Sequence, residues 1–143
     1  MRTFLAAISF LTIIRVPTQT VPPGRAAIFF PLVGAMLGAA GAGLFIAANF
    51  VLPASLAALI AVAFWTLISG VLHEDGLADV ADAMRAGRTR EKMLAILKDS
   101  RIGTYGAVAI VLSLLARWQA LQHVPAPRIL LVCIVAQAVP RAA

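Results

Sequence analysis

Carboxylates are scarce in this sequence and confined to one stretch. Only 6 of the 143 residues are Asp or Glu, and all of them lie between Glu74 and Asp99. The run from Ala26 to His73 contains no Asp, Glu, Lys or Arg. Charged residues make up 13% of the chain, against roughly 25% in soluble domains. This scarcity argues against a soluble domain, and the 62% hydrophobic content is typical of an integral membrane protein.

Cysteine and aromatic residues are also few. The single cysteine, Cys133, cannot form an internal disulfide, and we expect it to be a buried, inert thiol. The net charge is +6, but the basic residues form no stripe with interleaved aromatics, so nucleic acid is not expected as a partner. Lys and Arg lie instead at the ends of apolar segments, as in membrane proteins. The lipid bilayer is therefore the expected surrounding.

The apolar segments predict an all-α, polytopic helical bundle with about three to four spans in one membrane domain, residues 1–143. As one helix, residues 26–72 would be about 70 Å long, more than twice a hydrocarbon core of about 30 Å. We therefore expect two spans joined by a turn at 49–55. Gly34 and Gly38 are spaced for close helix approach. The expected spans are residues 28–48, 56–72, 105–121 and a fourth segment from 129 onward.

The distribution of basic residues predicts the orientation. Arg2 precedes an apolar run at 4–14, which would be about 16 Å long as a helix. That is too short to span a membrane, so we expect an interfacial or re-entrant helix, with a signal peptide as the alternative. Lys and Arg are present near the N-terminus and after the second span, but absent from the turn at 49–55. The positive-inside rule then places the acidic and basic helical stretch in the cytoplasm.

Three aspartates share one face if the second span continues as a helix to Met84. At 100° per residue, Asp79 lies about 40° from Asp75, and Asp82 lies about 20° to the other side. Such neighbours repel each other unless some are protonated or cations lie between them. Mg²⁺ suits carboxylates that it shares with substrate phosphates, and no Cys–His pattern for zinc is present. We predict a magnesium site of Asp75, Asp79 and Asp82, with Glu74 within reach.

Basic and hydroxyl side chains after the acidic helix predict a phosphate-binding surface. Gly103 and Gly106, which follow them, would allow close backbone approach. Together with the metal, this indicates a metal-assisted displacement at a phosphate or diphosphate. An ordinary solvated amphipathic helix at 85–98 is the alternative. The predicted substrate-binding residues are Arg85, Lys98, Asp99, Ser100 and Arg101.

Four segments of the chain resemble the cobalamin synthase family, the adenosylcobinamide-GDP ribazoletransferases. The last two segments are the specific ones. The chain departs from the family pattern in three ways: Ala83 stands where members usually have Gly, residues 137–141 replace an expected Ser-Arg pair, and the C-terminal half of the family is absent. The segments are Phe10-Leu11-Thr12 with Arg15-Val16-Pro17, Phe30-Pro31-Leu32-Val33-Gly34, His73-Glu74-Asp75-Gly76-Leu77-Ala78-Asp79-Val80-Ala81-Asp82, and Lys98-Asp99-Ser100-Arg101-Ile102-Gly103-Thr104-Tyr105-Gly106.

The resemblance implies a multi-pass enzyme of the bacterial or archaeal inner membrane. It would use Mg²⁺ to join adenosylcobinamide-GDP to α-ribazole or α-ribazole 5'-phosphate, with release of GMP, in the last assembly step of adenosylcobalamin biosynthesis. Asp79 and Asp82 would be catalytic, and Asp82 would accept or orient the proton of the nucleophile. Lys98 and Arg101 would contact phosphate. The sequence is also compatible with a homo-oligomer.

Two other functions are compatible with the sequence. CDP-alcohol phosphatidyltransferases also use spaced aspartates and magnesium, but their Asp-Gly is followed by an Ala-Arg pair that is missing here. A transporter or cation-binding subunit would carry carboxylates deep within its spans, whereas here they are expected at the end of one. Arg117, inside the third apolar segment, either extends to the interface or faces a binding cavity.

Overall fold

The computed structural model describes residues 2–17, 22–86, 89–98 and 101–142, and in these ranges the chain is helical with no β-strand. The predicted all-α class is confirmed. Two short 3-10 helices, Ala126–Arg128 and Val139–Arg141, lie on either side of the last α-helix. The α-helices are α1 (Arg2–Leu11), α2 (Pro23–Ala27), α3 (Phe30–Asn49), α4 (Ala54–Ile68), α5 (Leu72–Ala86), α6 (Arg90–Ile96), α7 (Thr104–Gln122) and α8 (Ile129–Ala138).

Helices α3 and α7 are each long and apolar enough to cross a membrane. Helices α4 and α5 are long and apolar enough only when they are taken together, as a pair with a bend between them. By length and composition, the described residues therefore contain two helices that could span a membrane, or three if the bent pair is one span, in agreement with a helical membrane protein. The bounds of α3 and α7 closely match the predicted first and third spans. The fourth segment forms only the 10-residue α8, and α1 is short as predicted.

The helix predicted to continue from the second span into the acidic stretch is interrupted. Gly70 and Val71 have φ angles of 62° and 63°, which no right-handed helix accommodates. Helix α4 consequently ends at Ile68, and α5 begins at Leu72. A branched residue such as valine rarely takes a positive φ, at a cost of roughly 1–2 kcal/mol. The prediction of a continuous helix is therefore wrong at this point, although α5 itself is helical throughout.

Contacts divide the chain into two compact units. The first, Met1–Gly70 with Trp118–Ala143, is built around α3, which packs against α4 and α8. A Cβ on Gly38 would lie closer than 3.0 Å to the backbone of Cys133 and Ile134, so α3 and α8 touch through their backbones. Cys133 is 1% exposed, as expected for an inert thiol.

The second unit, Val71–Arg117, contains α5, α6 and the first part of α7. Helix α6 is capped by Thr89, whose hydroxyl oxygen accepts a hydrogen bond from the Lys92 amide at 3.4 Å. Helices α5 and α6 pack against each other within this unit. All the predicted site residues that the structure describes belong to it.

The contact between α3 and α8 predicts opposite effects at two glycines of α3. Gly38→Ala should lower the free energy of unfolding by about 1–3 kcal/mol, because the methyl group has no room. Gly43→Ala should raise it by up to about 1 kcal/mol, since nothing lies within 4 Å and alanine favours the helix. Thermal unfolding in detergent micelles measures both effects. Equal effects of the two substitutions would contradict this packing.

Candidate functional site

Helix α5 places its four carboxylates in two kinds of surroundings. Glu74 and Asp82 are buried, with 2% and 8% of their surfaces exposed. Asp75 is exposed and Asp79 is partly exposed. The latter two are one helical turn apart, with a rise of about 6 Å between them. The predicted three-aspartate stripe therefore separates into an accessible pair and a buried third member.

Asp75 and Asp79 line an open cavity of about 280 Å³. Lys98 and Arg101 line the same cavity. In the part of the chain that the structure describes, neither aspartate side chain accepts a hydrogen bond or forms an ion pair. Two accessible carboxylates and two cationic side chains thus share one cavity. The other lining residues are the apolar Val71, Ala78, Leu97, Ile102 and Ile110.

Asp82 holds the beginning of α7. Its Oδ2 accepts a hydrogen bond from the Gly103 amide at 2.7 Å, and its Oδ1 accepts one from the Gly106 amide at 2.9 Å. The first amides of a helix have no partner within the helix, and a carboxylate is favoured there by the helix dipole. Asp82 therefore acts as an N-terminal cap supplied by another helix. Its predicted metal-binding and proton-accepting roles stay predictions.

The two glycines after Arg101 are explained by this cap. A Cβ on Gly103 or Gly106 would lie closer than 3.0 Å to the Asp82 carboxylate. At Gly106 it would also meet the Ala78 side chain at 3.0 Å. The close backbone approach expected from the sequence is thus an approach to α5.

Glu74 is paired with Arg117. The Arg117 Nη2 donates to Glu74 Oε1 at 2.6 Å, and the two side chains are 35% and 2% exposed, respectively. The Arg117 Nε also donates to the Ser113 carbonyl at 3.4 Å. Neither alternative proposed for Arg117 describes this ion pair. Glu74 as a metal ligand stays a prediction, with one carboxylate oxygen engaged by a guanidinium.

These contacts define the direction of α5 relative to the first part of α7. Asp82 is level with Gly103 and Gly106, whereas Glu74 reaches Arg117, which lies about 20 Å from the start of α7. The two helices are therefore antiparallel, and α5 lies beside α7 rather than beyond its end.

The other predicted substrate-binding residues are Arg85, Asp99 and Ser100, and none of them is among the described residues that line the cavity. The Arg85 guanidinium is 5.7 Å from the centroid of the Tyr105 ring, a cation–π contact, and does not line the cavity. Asp99 and Ser100 lie outside the described residues. Within the described ranges, no three His, Cys, Asp or Glu side chains are grouped for a metal ion.

Sequence reasoning missed the contact of Tyr105 and the apolar walls of the cavity, Val71 and Ile110. Nothing in their local pattern distinguishes these residues from ordinary apolar positions. Arg117 did carry a signal, because a lone charge in an apolar helix needs a partner.

The cap on α7 predicts that two aspartates of α5 differ in their effect on stability. Asp82→Asn should lower the free energy of unfolding by about 1–3 kcal/mol. The asparagine side chain has one acceptor oxygen, whereas the backbone N–H groups of Gly103 and Gly106 each need an acceptor. Asp79→Asn should change it by less than about 0.5 kcal/mol, since Asp79 has no bonded partner among the described residues. Urea or thermal unfolding in micelles compares them. Equal stability of the two variants would argue against the cap.

A family model and several curated proteins that are similar to this chain carry related names. Residues 3–143 match the family described as "CobS: Cobalamin-5-phosphate synthase". Three relatives named adenosylcobinamide-GDP ribazoletransferase are similar to the chain. The one from Bradyrhizobium diazoefficiens is 46% identical over 126 residues, which cover 85% of this chain and 48% of the relative. The one from Vibrio parahaemolyticus is 42% identical, covering 87% and 50%. The one from Shewanella frigidimarina is 45% identical, covering 82% and 47%.

The chain thus spans about half the length of the curated relatives that it matches. No solved structure matches it significantly. The family match extends over nearly the whole chain, including α5 and the start of α7. By this match, the chain belongs to the cobalamin-5-phosphate synthase family.

Proposed function

We propose that this chain carries the metal- and diphosphate-binding site of an adenosylcobinamide-GDP ribazoletransferase. The reaction joins adenosylcobinamide-GDP to α-ribazole or α-ribazole 5'-phosphate and releases GMP, the last assembly step of adenosylcobalamin biosynthesis. The names of the relatives support the reaction. The observation that carries the proposal is the shared cavity of Asp75, Asp79, Lys98 and Arg101.

The accessible aspartates fit Mg²⁺. This ion keeps several waters and is usually held by one or two carboxylates together with substrate phosphates. Asp75 and Asp79 offer two such carboxylates, one turn apart and open to the cavity. Mg²⁺ bound there would supply neutralisation of the charge on the diphosphate.

Lys98 and Arg101 would bind the negatively charged diphosphate directly. Lys98 and Arg101 offer an ammonium and a guanidinium, which form strong hydrogen bonds with phosphate oxygens. A diphosphate held in this way is oriented for displacement without a covalent enzyme intermediate.

In the bond-making step, an oxygen of the ribazole substrate bonds to the phosphorus that carries cobinamide. The bond from this phosphorus to the bridging oxygen breaks, and GMP leaves with that oxygen. The proton of the nucleophile passes to a base or to water. Of the two predicted acceptors, Asp79 lines the cavity, whereas both oxygens of Asp82 already accept amide hydrogen bonds. We assign Asp82 to holding Gly103 and Gly106.

The location of the reaction follows from the membrane character of the family and the distribution of charge. We place the protein in the inner membrane of a bacterial or archaeal cell, with several spans and with the cavity open to the cytoplasm. The basic residues around α5 and α6 support this side. Soluble, charged substrates would then reach the cavity without crossing the bilayer.

The metal site predicts loss of activity on substitution of the accessible aspartates. Asp75→Asn or Asp79→Asn should lower kcat for GMP release by roughly 10²-fold or more, and should raise the Mg²⁺ concentration required. The assay uses protein in lipid nanodiscs with adenosylcobinamide-GDP and α-ribazole 5'-phosphate. Glu91→Gln, at an exposed carboxylate on α6, is the matched control and should retain activity. Wild-type rates in both aspartate variants would refute the metal site.

The cationic residues predict a different kinetic signature. Lys98→Gln or Arg101→Gln should raise KM for adenosylcobinamide-GDP by about 10-fold or more, because each loses a charge-assisted hydrogen bond. Lys92→Gln on α6 is the control, since Lys92 is exposed and does not line the cavity. Steady-state kinetics at saturating Mg²⁺ separate KM from kcat. An unchanged KM in both cavity variants would remove these residues from the diphosphate site.

A further inference from the structure

We propose that Glu74 and Arg117 form a positioning pair, which sets the register of α5 against α7 and so directs Asp75 and Asp79 into the cavity. The role of the two aspartates rests on the proposed function. The pair itself rests on the geometry of the second unit. Glu74 Oε1 and Arg117 Nη2 are 2.6 Å apart, and the Glu74 side chain is 2% exposed.

The spacing of the two contacts along α5 is close to their spacing along α7. From Glu74 to Asp82, α5 rises about 12 Å, and from Gly106 to Arg117, α7 rises about 16 Å. The long arginine side chain covers the difference by lying back along α7. Its Nε donates to the carbonyl of Ser113, one turn earlier, at 3.4 Å. Side chains on a helix lean toward its N-terminus, so this direction is the favoured one.

Two contacts between α5 and α7 are needed, because α5 could still rotate about a single contact. The cap by Asp82 holds one end of α5, and the ion pair holds the other, with Asp75 and Asp79 between them. A slip of one residue would rotate α5 by about 100° and carry both aspartates away from Lys98. The ion pair prevents this rotation at the end where the cap does not act.

The chemistry of a buried pair favours this role over metal binding by Glu74. A buried carboxylate needs a compensating charge, and removal of either partner leaves the other uncompensated. In some proteins, among them coiled coils, a buried polar group fixes the register of neighbouring helices. Glu74 does not line the cavity, whereas its neighbour Asp75 does. Glu74 therefore serves the metal site through the helix that carries it.

The test combines Glu74→Gln, Arg117→Gln and the double variant, with Arg117→Lys as the conservative replacement. Binding of Mn²⁺ alone to the protein in nanodiscs, followed by electron paramagnetic resonance, reports on the metal site without turnover. Each single variant should weaken Mn²⁺ affinity by about 10-fold or more. The double variant should lose about as much affinity as each single variant, because the pair is absent in all three. Arg117→Lys should recover most of the loss, because it keeps a positive charge opposite Glu74. Arg128→Gln, at an exposed arginine, is the control and should bind Mn²⁺ like the wild type.

Three results would overturn the inference. Wild-type affinity in Arg117→Gln would show that the pair does not position the site. Loss in Glu74→Gln without loss in Arg117→Gln would make Glu74 a direct ligand. Lower thermal stability with unchanged Mn²⁺ affinity would leave only a structural role. Mn²⁺ binding by the wild type without GMP release would instead refute the proposed function, while the comparison of Glu74 and Arg117 variants would stay interpretable.

Discussion

The carboxylate of Asp82 accepts the amides of Gly103 and Gly106, and the second unit depends on this contact. It joins the end of α5 to the start of α7, two segments far apart in the chain. The short turn that carries Arg101 and Ile102 is therefore held next to α5, where both residues line the cavity. The contact explains two glycines at once, since any Cβ there would collide with the carboxylate.

The four carboxylates of α5 divide between structure and chemistry according to their exposure. A buried carboxylate is tolerated only when it is hydrogen-bonded or paired, and Glu74 and Asp82 meet this condition with Arg117 and with two amides. A site for a metal and a charged substrate needs carboxylates whose oxygens are accessible. Asp75 and Asp79, between the two buried residues, meet that second condition.

Local pattern predicted more of the fold than of the site. The lengths of α3 and α7 follow from apolar runs, because a membrane span needs about 20 apolar residues. Helical periodicity placed Asp75 and Asp79 on one face correctly. It failed at Gly70 and Val71, because local propensity does not anticipate a positive φ at a valine. Periodicity did not anticipate that Asp82, predicted on the same stripe, is buried, because its hydrogen-bond partners come from the start of α7.

The sequence by itself determined the membrane setting, the helical class, the family and the concentration of acids in one stretch. Composition and short motifs are local properties, so they can be read without coordinates. Only the tertiary structure decided which acids stay accessible. The partners of Asp82 are 21 and 24 residues away, and the partner of Glu74 is 43 residues away. Burial and pairing over such separations depend on how α5 and α7 pack, which no local pattern specifies.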